Sequence, residues 1–553
     1  MRKLLVASAF ALAACASVPS SADTPAKHAK ASPISPQRLS DDVKTLASDP
    51  FEGRAPGTKG ETRTVAWIIA QLKQIGLQPG GPDGKWTQAV PLVHTKLSAG
   101  PMEADVKGTA IPLVQDKDIY VSTLRPVDAV TVAKAPMVFV GYGVNAPERG
   151  WDDFKGVDLK GKIAVFLVND PDFAAKPGEP AAGKFGGKTM TYYGRWTYKF
   201  EEAARRGAIG ALIVHQTAAA GYGWPTIVAP GGENYDIADA PNRLLLQGWL
   251  SGDAASKLFA AAGLDLAKQE VAARSPDFHP VPLDAQFSAQ LPVTHSTIES
   301  QNVLAKIPGT KRPDEVVMYG AHWDAYGIGA PDAQGRTIRR GANDDGLGVA
   351  GMLEIARAFK HGPAPQRSVV FGFWTAEERG LLGSETYAVH PVYSFAKTVA
   401  NITMDILQTG GLSKDVMLVG KGQDSLEDDL AKAAATQGRV VTQESLPQNG
   451  LFYRADHFSL AKRGVPTLLF MAISGAPNLV DGGREAGKKW LDAYMQCYHQ
   501  PCDAWSKDMS FAAAAQDVTL AYDVGRGLAF SDRWPTWSKT SEFRAVREKS
   551  LGK

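Results

Sequence analysis

From Ser300 onward the chain alternates short apolar runs with amphipathic segments, and this rhythm constrains its fold more than any other feature. The runs at 315–321, 368–374, 398–404 and 466–470 have the length and the β-branched, aromatic content of buried strands. Between the first pair, 346–359 puts Val349, Met352, Leu353, Ile355, Ala356 and Phe359 at helical spacing, and 426–435 reads as another helix. Alternation of this kind predicts an α/β fold, a mixed, mainly parallel sheet with helices on both faces. Ligands of such sheets bind beyond the carboxyl ends of the strands, so chemistry is expected there.

Those ends carry acids and imidazoles. His322-Trp323-Asp324 follows the first strand, Asn343-Asp344-Asp345-Gly346 opens the next helix, Glu377-Glu378 follows the second strand, and Asp405 follows Met404. His499 lies in Cys497-Tyr498-His499-Gln500-Pro501-Cys502. Taken singly, each has a plain structural explanation: a hydrogen-bonded histidine, a turn or helix cap, or acids at a helix start favoured by its dipole. Together, at the ends of successive elements of one sheet, they point to a metal. Mixed imidazole and carboxylate ligands suit zinc or a similar divalent ion better than calcium. There are more of them than one tetrahedral ion needs, which suggests two ions sharing a carboxylate. Neighbouring side chains on an extended backbone diverge, so Glu377 and Glu378 are expected to divide the work between proton transfer and metal binding.

These residues, in this order, resemble the co-catalytic di-zinc aminopeptidases. The larger relatives of that family carry an inserted protease-associated domain and include glutamate carboxypeptidase and the transferrin receptor. The opening Phe51-Glu-Gly-Arg-Ala-Pro-Gly-Thr58 and an inserted region are also similar, so the likeness covers nearly everything after the first 37 residues. The resemblance implies two zinc ions per chain, with Asp344 as the bridge. It implies His322 and Asp405 at one ion, Glu378 and His499 at the other, and Asp324 holding His322 by its second ring nitrogen. Glu377 becomes the general base and Tyr498 a donor to the oxyanion. Arg454-Ala-Asp456-His457-Phe458 resembles a family segment near the substrate pocket but departs from it at Ala455 and Ser459, so Asp456 and His457 are read as structural. Trp323, Trp374 and Phe452 fit either a specificity pocket or the core. The implied activity is hydrolysis of N-terminal residues from short peptides. A carboxypeptidase, a glutaminyl cyclase-like enzyme using one zinc, and a non-catalytic receptor-like binding protein are the alternatives.

The rest of the chain supplies domain expectations. Residues 38–118 and 293–535 are read as the peptidase domain. Ser40-Asp-Asp is expected to cap a helix leading to Val43 and Leu46, and 61–75 to form a second helix ending at Gly76. Strand-like runs at 136–141, 162–168 and 210–214 place a separate inserted domain, carrying no catalysis, at 119–292, and it runs out in a loose stretch near Ala289. Residues 536–553 are left as a C-terminal tail.

The amino end reads as an export signal. Met1-Arg2-Lys3 is basic, Leu4–Ala14 is apolar but too short to span a bilayer, and Leu12-Ala-Ala-Cys15 resembles a lipobox. Residues 1–15 are therefore a signal with Cys15 as the lipidation site, in preference to cleavage after Ala14, Ala16 or Ala22 and release. Residues 16–37, rich in Ser, Ala, Pro and Lys, form a tether. The expected place is the periplasmic side of a membrane, held only by that lipid, the outer membrane being favoured because Ala16 is not acidic. In an oxidising compartment Cys497 and Cys502 are expected to close a disulfide loop; a free thiol or metal thiolate is the weaker reading. A formal charge of +2 over 553 residues gives no reason to expect nucleic acid as a partner.

Overall fold

The computed structural model describes residues 33–552; Cys15, the signal and most of the tether lie outside them. One long strand, Val281–Ile307, runs through two sheets and ties them together. Its second half belongs to the larger sheet. There Thr467–Phe470, Thr398–Met404, Arg312–His322 and Arg367–Trp374 lie parallel in that spatial order. Val303–Ile307, Thr87–Leu97 and Glu233–Ile237 then continue the sheet antiparallel. Three of the parallel strands are buried along their whole length and Arg312–His322 from Val316 onward, as strands covered on both faces must be. Leu347–His361 and Phe511–Ala529 pack on them through Val349, Met352, Leu353, Val518 and Leu528, in one core with Leu39, Val43, Ile68 and Leu72 of the first helices. This is the mixed, mainly parallel α/β arrangement with helices that the alternation predicts.

The first half of Val281–Ile307 belongs to a second sheet, pairing with Met102–Val106 and Ala129–Phe139, beside parallel strands Ile163–Leu167, Gly210–Val214 and Leu246–Leu250. Its apolar core is its own. The stretch near Ala289, read as loose, is thus a strand: Leu283, Ala285, Phe287, Ala289 and Leu291 alternate inward with period two. Pairing also carries the second sheet back to Met102, ahead of the expected start at 119. Glu233–Ile237, although inside 119–292, is stitched into the larger sheet against Thr87–Leu97.

Three further local expectations are corrected. The first helix is Pro36–Leu46, capped by the Ser35 hydroxyl, so the tether ends earlier than 37. Ser40 sits inside that helix and accepts from Trp505 Nε1 at 3.0 Å. Within the stretch read as a tail, residues 536–552 are a packed segment: Trp537 is buried and donates to the Gly464 carbonyl at 2.8 Å, while Arg547 donates to the Phe395 and Thr398 carbonyls at 2.7 and 2.9 Å. The Lys59–Ile75 helix follows its sequence signals, with Thr58 accepting from the Gly60 and Glu61 amides and Gly76 left-handed at φ +87°.

Candidate metal centre

His322 ends the strand Arg312–His322, Asp405 follows Thr398–Met404, and Glu377 and Glu378 form a turn just past Arg367–Trp374. Asp344 lies in the turn Ala342–Gly346 before the Leu347–His361 helix, and His499 in the loop after Gly483–Cys497. That loop is closed by the Cys497–Cys502 disulfide. The parallel register brings these positions to one end of the sheet. Ala376, Ile406 and His499 are all left-handed, with φ of 52°, 52° and 60°, so three of the turns that aim the cluster hold non-glycine residues in a costly conformation.

Ligand atoms of His322, Asp344 and Asp405 all lie within 4.8 Å of one another, as do those of Asp344, Glu378 and His499. Asp344 belongs to both groups. His322 Nε2 is 3.2 Å from Asp344 Oδ1 and 3.8 Å from Asp405 Oδ1, and His499 Nε2 is 3.2 Å from both Asp344 Oδ2 and Glu378 Oε2. Ligands about 2.1 Å from a tetrahedral zinc are separated by about 3.4 Å, so these spacings suit shared cations. His322 Nε2, Asp344 Oδ2 and Asp405 Oδ1 are buried without hydrogen-bond partners. Buried polar atoms rarely lack partners, and these fall in the two ligand groups, His322 Nε2 with Asp405 Oδ1 in one and Asp344 Oδ2 beside His499 in the other, as bound ions would require.

The electrostatics agree. Burial pushes Glu377 and Glu378 well above the ordinary carboxylate range; Asp405, Asp456 and Asp344 add to this at Glu377, and Asp344 and Glu377 at Glu378. Burial opposes the charged form of His322, yet the acids around it, Glu377 first, hold its pKa well above that of a free imidazole. So many carboxylates around two imidazoles leave a buried excess of negative charge that cations would offset. Behind the cluster lies Arg54, fully buried, whose guanidinium donates to the carbonyls of Leu46, Trp323, Arg340 and Gly341 at 2.6–3.1 Å.

Asp324 touches more than His322. His322 Nδ1 lies 3.1 Å from the Asp324 main-chain carbonyl and 3.6 Å from its carboxylate. The carboxylate also accepts the backbone amides of Glu377 at 3.0 Å and Glu378 at 3.4 Å, fixing the turn that presents both glutamates. Asp503, which the sequence reading missed, does the same for the other side: its oxygens accept the amides of Asn343 and Asp344 at 3.1 Å each. Asn343 in turn exchanges hydrogen bonds with the main chain of Leu407 at 3.0 and 3.1 Å.

A cavity of about 380 Å³ opens on the cluster. Asp344, Glu377, Glu378, Asp405, Tyr498 and His499 form one part of its wall, and Arg195, Trp196, Asn234 and Tyr235 form another. Residues of the region 119–292 thus wall the cavity without supplying either group of candidate ligands. The rings of Tyr498 and Tyr326 lie 3.6 and 4.6 Å from that of His499, and burial raises both phenols well above their usual range. Trp323, Trp374 and Phe452 are core residues, and Asp456 and His457 are buried; none of them lines the cavity. Most charges on the wall are paired, Arg243 with Asp236 and Lys462 with Glu201 and Glu385. Arg195 is not. It is only 8% exposed, its Nε has no partner, and burial together with the Arg454 guanidinium lowers its pKa to about 10. Arg54, Asp503, Tyr326 and Arg195 had no sequence signal beyond the turn-rich setting of Arg54, because each is defined by what it meets in space.

Comparison with known proteins bears on the same region. The model of Peptidase family M28 matches residues 302–522, the part of the chain that carries every candidate ligand, so this part is similar to M28 peptidases. Leupeptin-inactivating enzyme 1 of Streptomyces exfoliatus is 28% identical over 233 residues, 42% of this chain and 49% of that protein. A probable zinc metalloprotease of Pyrenophora teres f. teres is 35% identical over 143 residues, 26% of this chain and 28% of that one. The chain thus spans half or less of the length of these curated relatives. Among solved structures, an aminopeptidase from Aneurinibacillus sp. strain AM-1 is 20% identical with a TM-score of 0.48, covering 91% of this chain and 95% of that one. A zinc aminopeptidase from Bacillus subtilis is 17% identical with a TM-score of 0.43, covering 90% and 96%.

Proposed function

We propose that this protein is an exported zinc aminopeptidase that removes N-terminal residues from short peptides, with two zinc ions per chain. The observation that carries the reading is the pair of ligand groups that share Asp344, His322 and Asp405 in one and Glu378 and His499 in the other, with His322 Nε2, Asp344 Oδ2 and Asp405 Oδ1 buried and unpartnered. The donor set of imidazoles and carboxylates suits zinc, and His322, Asp344 and Asp405 would hold one ion, Asp344, Glu378 and His499 the other. When bound, zinc supplies Lewis acidity and a water acidified toward pH ~7. Glu377, held at the cavity wall by Asp324, takes a proton from the attacking water and returns it to the leaving amine. The Tyr498 hydroxyl, on the same wall, donates to the developing oxyanion. The acid-rich floor suits a positively charged α-amine, which favours trimming from the amino end. The cavity's enclosure by residues of the region 119–292, read as a protease-associated domain, favours chain ends over folded proteins. Met1–Lys3, Leu4–Ala14 and Cys15 support export with a lipid anchor, and the Cys497–Cys502 disulfide suits an oxidising compartment.

A panel of aminoacyl anilides, with zinc measured on the same sample, tests this reading. Cleavage with about two zinc per chain supports it, whereas a single zinc with no anilide turnover would move the assignment to a cyclase-like transferase. A carboxypeptidase is the second reading, and Arg195 favours it: an unpaired, nearly buried guanidinium beside Arg454 in the cavity wall is the kind of group that holds a substrate carboxylate. Cleavage of amino-terminally blocked peptides, lost when their carboxylate is amidated, would decide for it.

A further inference from the structure

A second cavity, of about 280 Å³, adjoins the first, and Tyr235, Tyr326 and Arg379 line both. These three form a partition. The Arg379 guanidinium sits 4.9 Å from the ring centre of Tyr235 and 5.1 Å from that of Tyr326, between a residue of the region 119–292 and one of the peptidase domain. Both tyrosines are held from behind. Tyr235 stacks on His94 at 4.7 Å across paired strands, and Tyr326 lies against His499, a candidate ligand.

Apart from the partition itself, the polar side chains of the second cavity, Glu52 and Thr58, have partners. Glu52 pairs with Arg63 at 3.1 Å, and Thr58 Oγ1 donates to the Ala55 carbonyl at 2.7 Å while accepting from the Gly60 amide. Opposite the partition the rest of its wall is apolar: Ala55, Pro56, Leu92, Ile298 and Ile328, the last 63% exposed. The wall is also fixed in shape. Gly53 is left-handed at φ +67°, and a Cβ there would fall 2.4 Å from the Arg339 carbonyl oxygen, so the turn carrying Ala55 and Pro56 seats directly on the segment carrying Ile328. A preformed apolar recess continuous with a catalytic cavity recognises apolar side chains.

We propose that this second cavity is a substrate subsite, which takes an apolar side chain of the peptide at a position away from the bond being cut, with the peptide main chain passing along the Tyr235–Arg379–Tyr326 partition. The proposal rests on the peptidase reading, and its test separates the two. With the zinc-loaded full-length protein, kcat/KM is measured for tetrapeptides sharing one N-terminal residue and carrying Leu or Gly in turn at each later position, alongside an aminoacyl anilide. At one position Leu should be preferred over Gly by about tenfold, a modest share of what burying a leucine offers. In Ile328→Asp, and independently in Ile298→Glu, that Leu/Gly ratio should fall below about twofold. A flat ratio at every position in the unmodified protein, or an unchanged ratio in both variants, overturns the subsite while anilide cleavage leaves the peptidase reading standing. Failure to cleave anilide and tetrapeptides alike defeats the reading itself.

Discussion

Asp503 accepts the backbone amide of Asp344 at 3.1 Å, across 159 residues of sequence, and so ties the segment that follows the disulfide loop to the carboxylate shared by both ligand groups. Its other oxygen accepts the Asn343 amide, also at 3.1 Å. Partners that orient ligands typically govern metal affinity by 10–100-fold. Asp503→Ala should therefore weaken zinc binding by about that factor, read by competition with a coloured chelator. Asp503→Asn, which keeps one acceptor oxygen, should lose less.

Glu377 and Glu378 should separate by phenotype. Glu377→Gln keeps the turn and removes only the proton carrier, so turnover should fall by about 10²–10⁴-fold while zinc stays near that of the unmodified protein. Glu378→Gln should lose zinc as well. Loss of zinc in the first variant and retention in the second would mean that the roles are exchanged. Metal analysis beside steady-state kinetics checks both.

Arg54→Met should destabilise the domain by roughly 3 kcal/mol or more, since it strands the carbonyls of Leu46, Trp323, Arg340 and Gly341 in the interior and removes a cation from behind the acid cluster. Urea unfolding of the zinc-loaded protein measures it. An effect below about 1 kcal/mol would mean that water replaces the guanidinium.

Asp424 gives a pH signature remote from the site. Burial pushes its carboxyl up to about 7, against amide hydrogen bonds from Leu426 and Thr467 that pull it down. A carboxyl whose folded pKa exceeds its unfolded value near 3.9 binds its proton first in the folded state. Its contribution to stability therefore grows as pH falls from about 7 toward 4 and is absent above 7. The unmodified protein should lose up to about 4 kcal/mol relative to Asp424→Asn between pH 4 and pH 8, measured by urea unfolding at each pH. Parallel pH profiles for the two proteins would contradict the shift.

Much of the peptidase domain was legible because its parallel strands are buried on both faces, and such burial leaves a short, continuous apolar run in the sequence. The residues at 398–404 fall on the strand Thr398–Met404 for that reason. Val281–Ile307 escaped because its outward positions hold Pro282, Asp284, Ser288 and Pro292, residues that read as loop, and because a strand shared by two sheets has no single polar face along its length. Ser40 was a plausible cap, but Ser35 won because its hydroxyl reaches the Arg38 amide while its own amide meets buried Glu354 at 2.7 Å. Asp324 is a neighbour of His322 in the sequence pattern, but that its carboxylate also accepts the Glu377 and Glu378 amides depends on a turn 53 residues away that only the fold brings near.

What the sequence determined by itself was the set of acids and imidazoles at strand ends, since side-chain type and element periodicity are local properties of the chain. What only the tertiary structure decided was which distant groups support them: Asp503 beneath Asp344, Arg54 behind the cluster, and Arg195, Tyr235 and Arg379 across the cavity. Those contacts depend on how two sheets pack about one shared strand. No spacing along the chain encodes a distance measured through that packing.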